Sequence, residues 1–181
     1  MARRLVALLR ADRRHLAVLR ALQALSLPDA AVGAGFIRSS VWDAAHGYAT
    51  PTPLPDIDVL FFDARNRSRG REAAIERSLR RRLPGLPFSV RNQARMHRRN
   101  RDAPHRDTAD ALRFWLETAT CVAARLNRQG GIDIVAPYGL NDLFALRSRP
   151  TPAGRRKADQ YRARMAAKNW PAIWPQVRVI I

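Results

Sequence analysis

Residues 56–63 read Asp56-Ile57-Asp58-Val59-Leu60-Phe61-Phe62-Asp63, and residues 32–38 upstream read Val32-Gly33-Ala34-Gly35-Phe36-Ile37-Arg38. The apolar, aromatic-rich run behind the first acid predicts a β-strand. Because side chains alternate along a strand, Asp56 and Asp58 are expected to point to the same face. The upstream segment predicts a small-residue turn followed by a helix. Together the two segments suggest a site that holds metal ions with the strand and phosphates with the turn.

Composition limits the class of protein. The chain has 181 residues, of which 46% are hydrophobic, so we expect a packed core and one domain with at most a small appendage. The single cysteine, Cys121, excludes an intramolecular disulfide and a cysteine-rich zinc site. We interpret it as a small buried residue in a reducing, cytoplasmic protein. The N-terminal apolar run ends at Arg10, which argues against export, and no segment approaches the roughly 18 apolar residues of a membrane helix.

The charge is strongly positive. The chain carries 33 Lys and Arg against 15 Asp and Glu, a formal net charge of +18, and its only lysines are Lys157 and Lys168. Such an excess attracts polyanions such as nucleic acid, nucleotides or anionic lipid, and arginine favours phosphate because it can bind it through two parallel hydrogen bonds. An arginine-rich bias also follows from a high-GC genome, so the charge is equally compatible with a solvated surface.

Elsewhere the chain alternates helical and strand patterns. We expect helices at 11–25, 36–45, 71–83, 108–115, 141–146 and 155–168, strands at 30–32, 56–63 and 87–91, and a hairpin of 121–126 with 132–136. Residues 98–107 are expected to form an exposed loop. This order predicts an α+β domain, a small mixed sheet backed by helices. Residues 1–150 are assigned to it, and residues 151–181 to a basic C-terminal helix and tail that pack on the same domain.

The acidic pair and the turn point to metal and phosphate chemistry. Mg²⁺ prefers oxygen ligands and commonly uses one or two carboxylates together with substrate phosphates. Two such ions can stabilise the attacking and leaving oxygens of a displacement at phosphorus. Gly33 and Gly35 lack side chains, so the backbone can approach a phosphate, and the helix they open presents free N–H groups to it. Arg38, one turn into that helix, could reach the same phosphates.

The turn, Gly47 and the Asp56–Val59 stretch resemble the core of the DNA polymerase β-like nucleotidyltransferase superfamily. The closest pattern is that of CCA-adding enzymes and bacterial poly(A) polymerases, in which a Gly-Gly-x-x-Arg turn precedes an Asp-x-Asp strand. Over nearly its whole length, including Arg91–His97, the chain resembles a family of small bacterial nucleotidyltransferase-like proteins. The resemblance implies a palm-like sheet, with Gly33 and Gly35 near the nucleotide phosphates and Asp56 and Asp58 as Mg²⁺ ligands. An acceptor hydroxyl would attack the α-phosphate, and pyrophosphate would leave.

The chain departs from this pattern at several positions. Ala34 replaces the first glycine of the usual pair, and Ser39 replaces the acid that often follows the arginine. A third carboxylate, often found on a later strand of relatives, is not evident in residues 88–92. Asp133, in the second strand of the predicted hairpin, is a candidate for it.

Other polar clusters have two interpretations each. Asn92, Gln93, Arg95 and His97 could form a wall of the site, or Asn92 could simply cap a surface helix. The basic runs 98–101 and 155–157 could contact nucleic-acid phosphates or be solvated. Three tryptophans, Trp115, Trp170 and Trp174, could stack on bases, but the last two are better read as anchors of the tail.

The leading hypothesis is therefore a Mg²⁺-dependent nucleotidyltransferase. It would transfer a nucleoside monophosphate from an NTP to an RNA, protein or small-molecule acceptor, with two metal ions held by Asp56 and Asp58 and the phosphates held by Gly33, Gly35 and Arg38. The alternative is a catalytically impaired protein of the same fold that binds nucleotide or nucleic acid. A weaker third reading is an interaction domain in which the acidic pair only begins a strand.

Overall fold

The computed structural model describes all 181 residues, and a mixed five-stranded sheet lies at its centre. The strands are β1 (Ala31–Gly33), β2 (Ile57–Phe61), β3 (Phe88–Asn92), β4 (Ala123–Leu126), β5 (Ile132–Val135), β6 (Arg147–Ser148) and β7 (Arg178–Val179). The sheet order is β3-β2-β1-β4-β5, in which β2 and β3 are parallel and every other pair is antiparallel. Strands β6 and β7 form a separate parallel pair.

Ten α-helices and a 3-10 turn at Thr118–Thr120 surround the sheet. The helices are α1 (Ala2–Ala11), α2 (Arg13–Gln23), α3 (Gly35–Ala45), α4 (Arg69–Arg82), α5 (Gln93–Asn100), α6 (Thr108–Leu112), α7 (Asn141–Phe144), α8 (Pro152–Arg156), α9 (Ala158–Lys168) and α10 (Trp170–Ile173). None of them combines the length and apolarity that crossing a bilayer requires.

The two faces of the sheet differ because side chains alternate along each strand. On one face, Ile57, Val59 and Phe61 of β2 are at most 1% exposed and belong to the main core with residues of α1 to α4. Burying each such side chain stabilises the fold by about 1.5–3 kcal/mol. On the other face, Leu60 packs against Leu112 of α6 in a small second cluster. Asp58 lies on this second face, beyond the edge of that cluster.

The helix expected at 11–25 is α2, Arg13–Gln23, and a further helix, α1, precedes it. Asp12 lies between the two helices in an extended conformation, and its carboxylate accepts hydrogen bonds from the N–H groups of Arg14 and His15. This side-chain cap begins α2 after α1 has ended, since an N-cap aspartate satisfies amides that have no helical acceptor. Residues 2–11, whose sequence imitates a signal peptide, form a helix whose Leu5 and Leu9 are fully buried.

Three further expectations, for residues 98–107, 108–115 and 155–168, were met only in part. Residues 155–168 form α8 and α9, which meet at Lys157, whose Nζ donates to Asp102 Oδ1 at 2.6 Å and to the carbonyl of Asn100 at 2.8 Å. Residues 98–107 are not a simple exposed loop, because α5 continues to Asn100 and the His105 side chain is buried. The helix expected at 108–115 ends at Leu112.

The C-terminal tail is anchored by tryptophan. The rings of Trp170 and Trp174 meet the ring of Trp42 of α3 edge to face, at centroid distances of 5.2 and 5.1 Å, and all three are at most 2% exposed. This confirms the interpretation of the two C-terminal tryptophans as anchors rather than as free stacking platforms. Cys121 is fully buried, as expected. The division of the chain at residue 150 stays a prediction.

Candidate functional site

The acidic pair lies at the start of β2. Asp58 is the second residue of the strand, and Asp56 directly precedes it. The direct cross-strand partners of Asp58 are Gly33 on β1 and Ser89 on β3. Both partners are small, so neither of their side chains covers the carboxylate of Asp58 from the neighbouring strands. Asp56 and Asp58 both line one cavity.

This cavity has a volume of about 610 Å³, a size typical of small-molecule sites. Its walls come from the start of α3, the proline-rich loop before β2, the end of α5, residues 114–120 and the C-terminal helices. Three carboxylates and six cations line it: Asp56, Asp58, Glu117, Arg38, Arg99, Arg101, Lys157, Arg164 and Lys168. Opposite charges therefore line one space that is large enough for a nucleotide.

The turn before α3 opens on this cavity. Ala34 adopts φ 54° and ψ −127°, a conformation that favours glycine. Its N–H donates to the carbonyl of Val122 at 3.0 Å, and its own carbonyl accepts from the N–H groups of Ile37 and Arg38 at 3.1 and 2.9 Å. These bonds fix where α3 begins. The first N–H groups of the helix, which have no acceptor within it, thus lie beside the cavity, where they favour an anion.

Of the two glycines of the turn, Gly35 lines the cavity and Gly33 lies between two strands of the sheet. A Cβ on Gly33 would lie 2.8 Å from the carbonyl oxygen of Val122, so glycine is needed there for β1 and β4 to approach, and Gly33 does not line the cavity. Gly35 does line it. A Cβ there would lie 3.5 Å from an Arg38 guanidinium nitrogen, an ordinary contact.

Arg38 is a buried cation that lines the cavity and is only 8% exposed. Its guanidinium carbon lies 4.4, 5.1 and 5.7 Å from the ring centroids of Trp170, Trp42 and Trp174. Burial lowers the pKa of Arg38 to about 10, while the charge of Glu117 acts in the opposite direction. The guanidinium stays charged at neutral pH, and its Nε has no hydrogen-bond partner. Ring faces stabilise the cation without consuming its donors.

The sequence interpretation missed Glu117 and Arg164, which form an ion pair in the cavity wall. Glu117 is 1% exposed, and both of its carboxylate oxygens accept from Arg164 Nε at 3.0 Å. The two residues are 47 positions apart and belong to different elements, so no local pattern announces the pair. A glutamate two residues after Trp115 in a mostly apolar stretch was the one available signal.

The ionised form of Asp58 is disfavoured by its surroundings. Burial and then repulsion from Asp56 raise the pKa of Asp58 to about 6, although nearby Arg164, Arg91 and Lys168 oppose the shift. Two carboxylates that repel each other in a partly dry cavity are the donor set that a hard divalent ion relieves. No cluster of three or more His, Cys, Asp or Glu side chains with metal-binding geometry occurs in the structure.

Asp133 is not brought to the acidic pair. It lies on the edge strand β5, which β1 and β4 separate from β2, and its carboxylate accepts from Asn127 Nδ2 at 2.9 Å. Asp133 does not line the cavity, so it cannot be the third carboxylate. A residue in a hairpin can be placed from sequence, but its distance from β2 depends on strand order, which the sequence did not reveal.

The polar cluster at 92–97 is structural. Asn92 is fully buried, caps α5 through the N–H of Ala94, and donates to the carbonyls of Asp63 and Asn66. Arg95 is bound by Glu72, with Nε 2.7 Å from Oε1. None of the residues in this cluster lines the cavity. The capping interpretation of Asn92 is confirmed.

The sequence model of a family described as nucleotidyltransferase matches residues 20–179. This span contains the turn, the acidic pair and the whole wall of the cavity. The chain belongs to this nucleotidyltransferase family. Its membership confirms the family resemblance on which the sequence interpretation rested.

Solved structures give the same fold. One, described as an NMR structure that reveals a CCA-adding enzyme head domain, has a TM-score of 0.86 and 28% identity and covers 97% of this chain and 94% of its own. A complex of a CCA-adding enzyme with CTP has a TM-score of 0.63 and 17% identity, and the match covers 97% of this chain but 43% of that enzyme. No curated protein matches the sequence. The predicted α+β fold with a nucleotidyltransferase core is confirmed.

Proposed function

We propose that this chain is a Mg²⁺-dependent nucleotidyltransferase that transfers a nucleoside monophosphate from an NTP to an acceptor hydroxyl. One observation carries the proposal: Asp56 and Asp58 share a cavity with the N-terminus of α3 and with Arg38. Membership of a nucleotidyltransferase family supports the reaction class. A reducing, cytoplasmic setting, consistent with the single buried cysteine, belongs to the same proposal.

The residues present fit a divalent metal. Asp56 and Asp58 would hold it, because Mg²⁺ needs no more than one or two protein carboxylates when substrate phosphates complete its shell. The raised pKa of Asp58 supports this assignment, since it reflects burial and repulsion that a bound cation would relieve. When bound, a pair of Mg²⁺ ions supplies charge neutralisation at the attacking and leaving oxygens.

The chain's own residues would bind and orient the phosphates. The N–H groups at the start of α3 face the cavity beside Gly35, and helix N-termini of this kind favour phosphate oxygens. Gly33 lets β4 approach β1, and Val122 thereby fixes the turn through the Ala34 N–H. Arg38 would contribute a full positive charge from a desolvated position, where charge acts strongly.

In the proposed reaction, the acceptor oxygen forms a bond to the α-phosphorus of the NTP. The bond from that phosphorus to the oxygen bridging to the β-phosphate breaks, so pyrophosphate leaves with the electron pair. The proton of the acceptor hydroxyl is released to water. The protein's part is positioning and electrostatic stabilisation, as in other phosphoryl transfers.

Calorimetric titration tests the proposal. CTP, ATP, GTP and UTP are each titrated with and without Mg²⁺, with CTP first because one structural neighbour was solved with it. We expect Mg²⁺-dependent binding that Asp56→Asn and Asp58→Asn remove. Asp133→Asn is the matched control, because it also removes one carboxylate but lies outside the cavity. Failure of every NTP to bind, or unchanged Mg²⁺ dependence in the two variants, would contradict the proposal.

A second candidate function is nucleotide or nucleic-acid binding without catalysis. Its specific support is that the third carboxylate of the cavity, Glu117, is occupied by Arg164 and is not free to hold a metal. Incubation with radiolabelled NTPs and a cell extract separates the two candidates. A labelled RNA, protein or small molecule that is lost with Asp56→Asn supports the enzyme, whereas NTP binding without any labelled product supports the binding protein.

A further inference from the structure

Helix α4 and the loop before it carry a dense group of exposed arginines. Those that have no ion pair are Arg65, Arg67, Arg69, Arg77, Arg81 and Arg82, and we call them the α4 arginine surface. On its inner side, α4 contributes Ile75 and Leu79 to the main core, on the face of the sheet to which Val59 points. Asp58 points to the other face, and no member of the α4 arginine surface lines the cavity. The surface is therefore separate from the candidate active site.

No acid of this segment neutralises the surface. Each carboxylate between residues 63 and 76 is paired with a cation that is not a member of it: Asp63 with Arg71, Glu72 with Arg95, and Glu76 with Arg80. The positive charge of the α4 arginine surface is therefore uncompensated, and such a surface attracts polyanions.

Helix stability explains only one end of the group. The dipole of a helix favours cations near its C-terminus, which accounts for Arg81 and Arg82 at the end of α4. The same dipole disfavours cations near the N-terminus, where Arg67 and Arg69 flank the N-cap Ser68. The arginines at this second end oppose the stability of the helix, which indicates a role in binding rather than in folding.

The loop that carries Arg65 and Arg67 is held in place by buried polar groups. Asp63 Oδ1 accepts from the N–H of Arg65 at 2.9 Å, and the side chain of Asn92 donates to the carbonyls of Asp63 and Asn66 at 2.8 and 2.9 Å. Arg67 Nε donates to a carbonyl within the loop at 3.2 Å. Both ends of the surface therefore project from ordered backbone, which lowers the entropy lost on binding a partner.

The other side chains of the surface decide which polyanion fits. Gly70, Ala73 and Ala74 are exposed on α4 between the two ends, and they are too small to keep a backbone away. No large hydrophobic side chain is exposed between residues 64 and 82, so the surface lacks the apolar anchors with which helices bind membranes and proteins. It also lacks aromatic rings, on which the bases of a single strand would stack. The phosphate backbone of a duplex requires neither.

We propose that the α4 arginine surface binds the phosphate backbone of a nucleic-acid double helix without reading its sequence. Arg69 and Arg81 are about 18 Å apart along the axis of α4, at about 1.5 Å per residue. This length covers about five successive phosphates of one strand. Arginine binds phosphate through two parallel hydrogen bonds, and such contacts position a duplex but carry no sequence information. The inference goes beyond the proposed function, because the cavity takes no part in it.

Fluorescence anisotropy with the full chain tests the surface. The probes are a labelled RNA duplex of about 20 base pairs and a DNA duplex of the same sequence, each titrated over a range of salt concentrations. One double variant combines Arg77→Gln with Arg81→Gln, and the other combines Arg65→Gln with Arg69→Gln. Since each lost phosphate contact lowers the slope of log K against log salt by about 0.9, we expect each double variant to lower it by about two. The affinity for both duplexes should fall about tenfold near 0.1 M salt.

The matched control combines Arg128→Gln with Arg178→Gln. It removes the same charge from exposed residues of the β4–β5 hairpin and of β7, which lies in the separate strand pair, so it should leave the slope and the affinity unchanged. An equal loss in the control would show that only the net charge matters, and this overturns the surface. A loss for only one of the two duplexes also overturns it. So does unchanged duplex binding, including the case in which the α4 variants lose only binding to vesicles of phosphatidylcholine and phosphatidylserine.

Two further readouts separate this inference from a structural role and from the proposed function. The variant with Arg65→Gln and Arg69→Gln should keep or slightly raise the thermal midpoint, because it removes cations from the N-terminal end of α4, and a clear fall would overturn the binding role. Asp58→Asn should leave duplex binding unchanged, and the α4 variants should leave the Mg²⁺-dependent NTP titration unchanged. Failure of the surface and failure of the proposed function are therefore seen in different measurements.

Discussion

Asp58→Asn is expected to stabilise the metal-free protein at neutral pH while destroying its proposed metal site. Burial and repulsion from Asp56 raise the pKa of Asp58 to about 6 from an ordinary value of 3.8. The native state therefore holds the proton of Asp58 more tightly than the unfolded chain does. Ionising this carboxylate at neutral pH opposes folding, and asparagine has nearly the same shape without the charge.

The magnitude follows from the shift in pKa. One pKa unit corresponds to about 1.36 kcal/mol, so a shift of about two units sets an upper limit of about 3 kcal/mol. Because Asp58 retains some contact with solvent, we expect a gain of about 2 kcal/mol above pH 7. Below pH 4 both states are protonated, so the gain should disappear there. The stability of the wild type should accordingly fall as the pH rises from about 4 to 6 and change little from this group above 7.

Urea unfolding in EDTA at pH 4, 5, 6 and 7.5 measures this difference directly. Asp133→Asn, which removes an exposed carboxylate on β5, should give a small and pH-independent change. With Mg²⁺ and an NTP in excess the order should reverse, because only the wild type gains binding free energy. A pH-independent effect of Asp58→Asn, or a variant less stable than the wild type at pH 7.5 in EDTA, would refute the reasoning.

Three further perturbations address the turn and the tail. Gly33→Ala should lower the thermal midpoint and weaken NTP binding, because the new Cβ would lie 2.8 Å from the Val122 carbonyl that fixes the turn. The control is Gly70→Ala, because a Cβ at Gly70 in α4 meets open space, and scanning calorimetry should show this variant to be neutral or mildly stabilised. Ala34→Gly should raise the midpoint by a few degrees, since relief of about 1–3 kcal/mol of strain outweighs the extra chain entropy of about 0.5–1 kcal/mol; a lower midpoint would show that the φ of 54° carries no strain. Trp170→Ala should cost about 3–5 kcal/mol by urea unfolding, as expected for a buried aromatic residue, and a cost below 1 kcal/mol would argue against its anchoring role.

The strand and the turn could be predicted because their signals are local. Alternation of side chains places Asp56 and Asp58 on one side of β2 whatever the rest of the fold does. The shared cavity with Gly35 and Arg38 also follows from short-range order, since a turn, a helix and the next strand pack together. Ala34 replaces a glycine of the family pattern, but its φ of 54° keeps the positive-φ backbone conformation that favours glycine.

The part of the cavity wall that residues 114–120 and α9 form could not be predicted, because it depends on long-range packing. Glu117 and Arg164 meet only after α9 packs beside the segment that contains Glu117, and nothing in either local sequence specifies the partner. The position of Asp133 also depends on long-range order. Strands β1 and β4 separate β5 from β2, so Asp133 lies away from the acidic pair. The local sequence therefore identifies candidate ligands, but the strand order determines which of them lie close together.

The tryptophan anchors explain why the C-terminal segment belongs to the site rather than to an appendage. A guanidinium as buried as that of Arg38 needs compensation for lost hydration, and the ring faces of Trp170 and Trp174 provide part of it. Asp43 accepts from Trp174 Nε1 at 2.7 Å and thereby fixes one of these rings against α3. The same docking sets the end of α9, and with it Lys168, beside the cavity. Loss of the tail would therefore remove the support of Arg38 and the position of α9 together. The family match, which extends to residue 179, includes this segment.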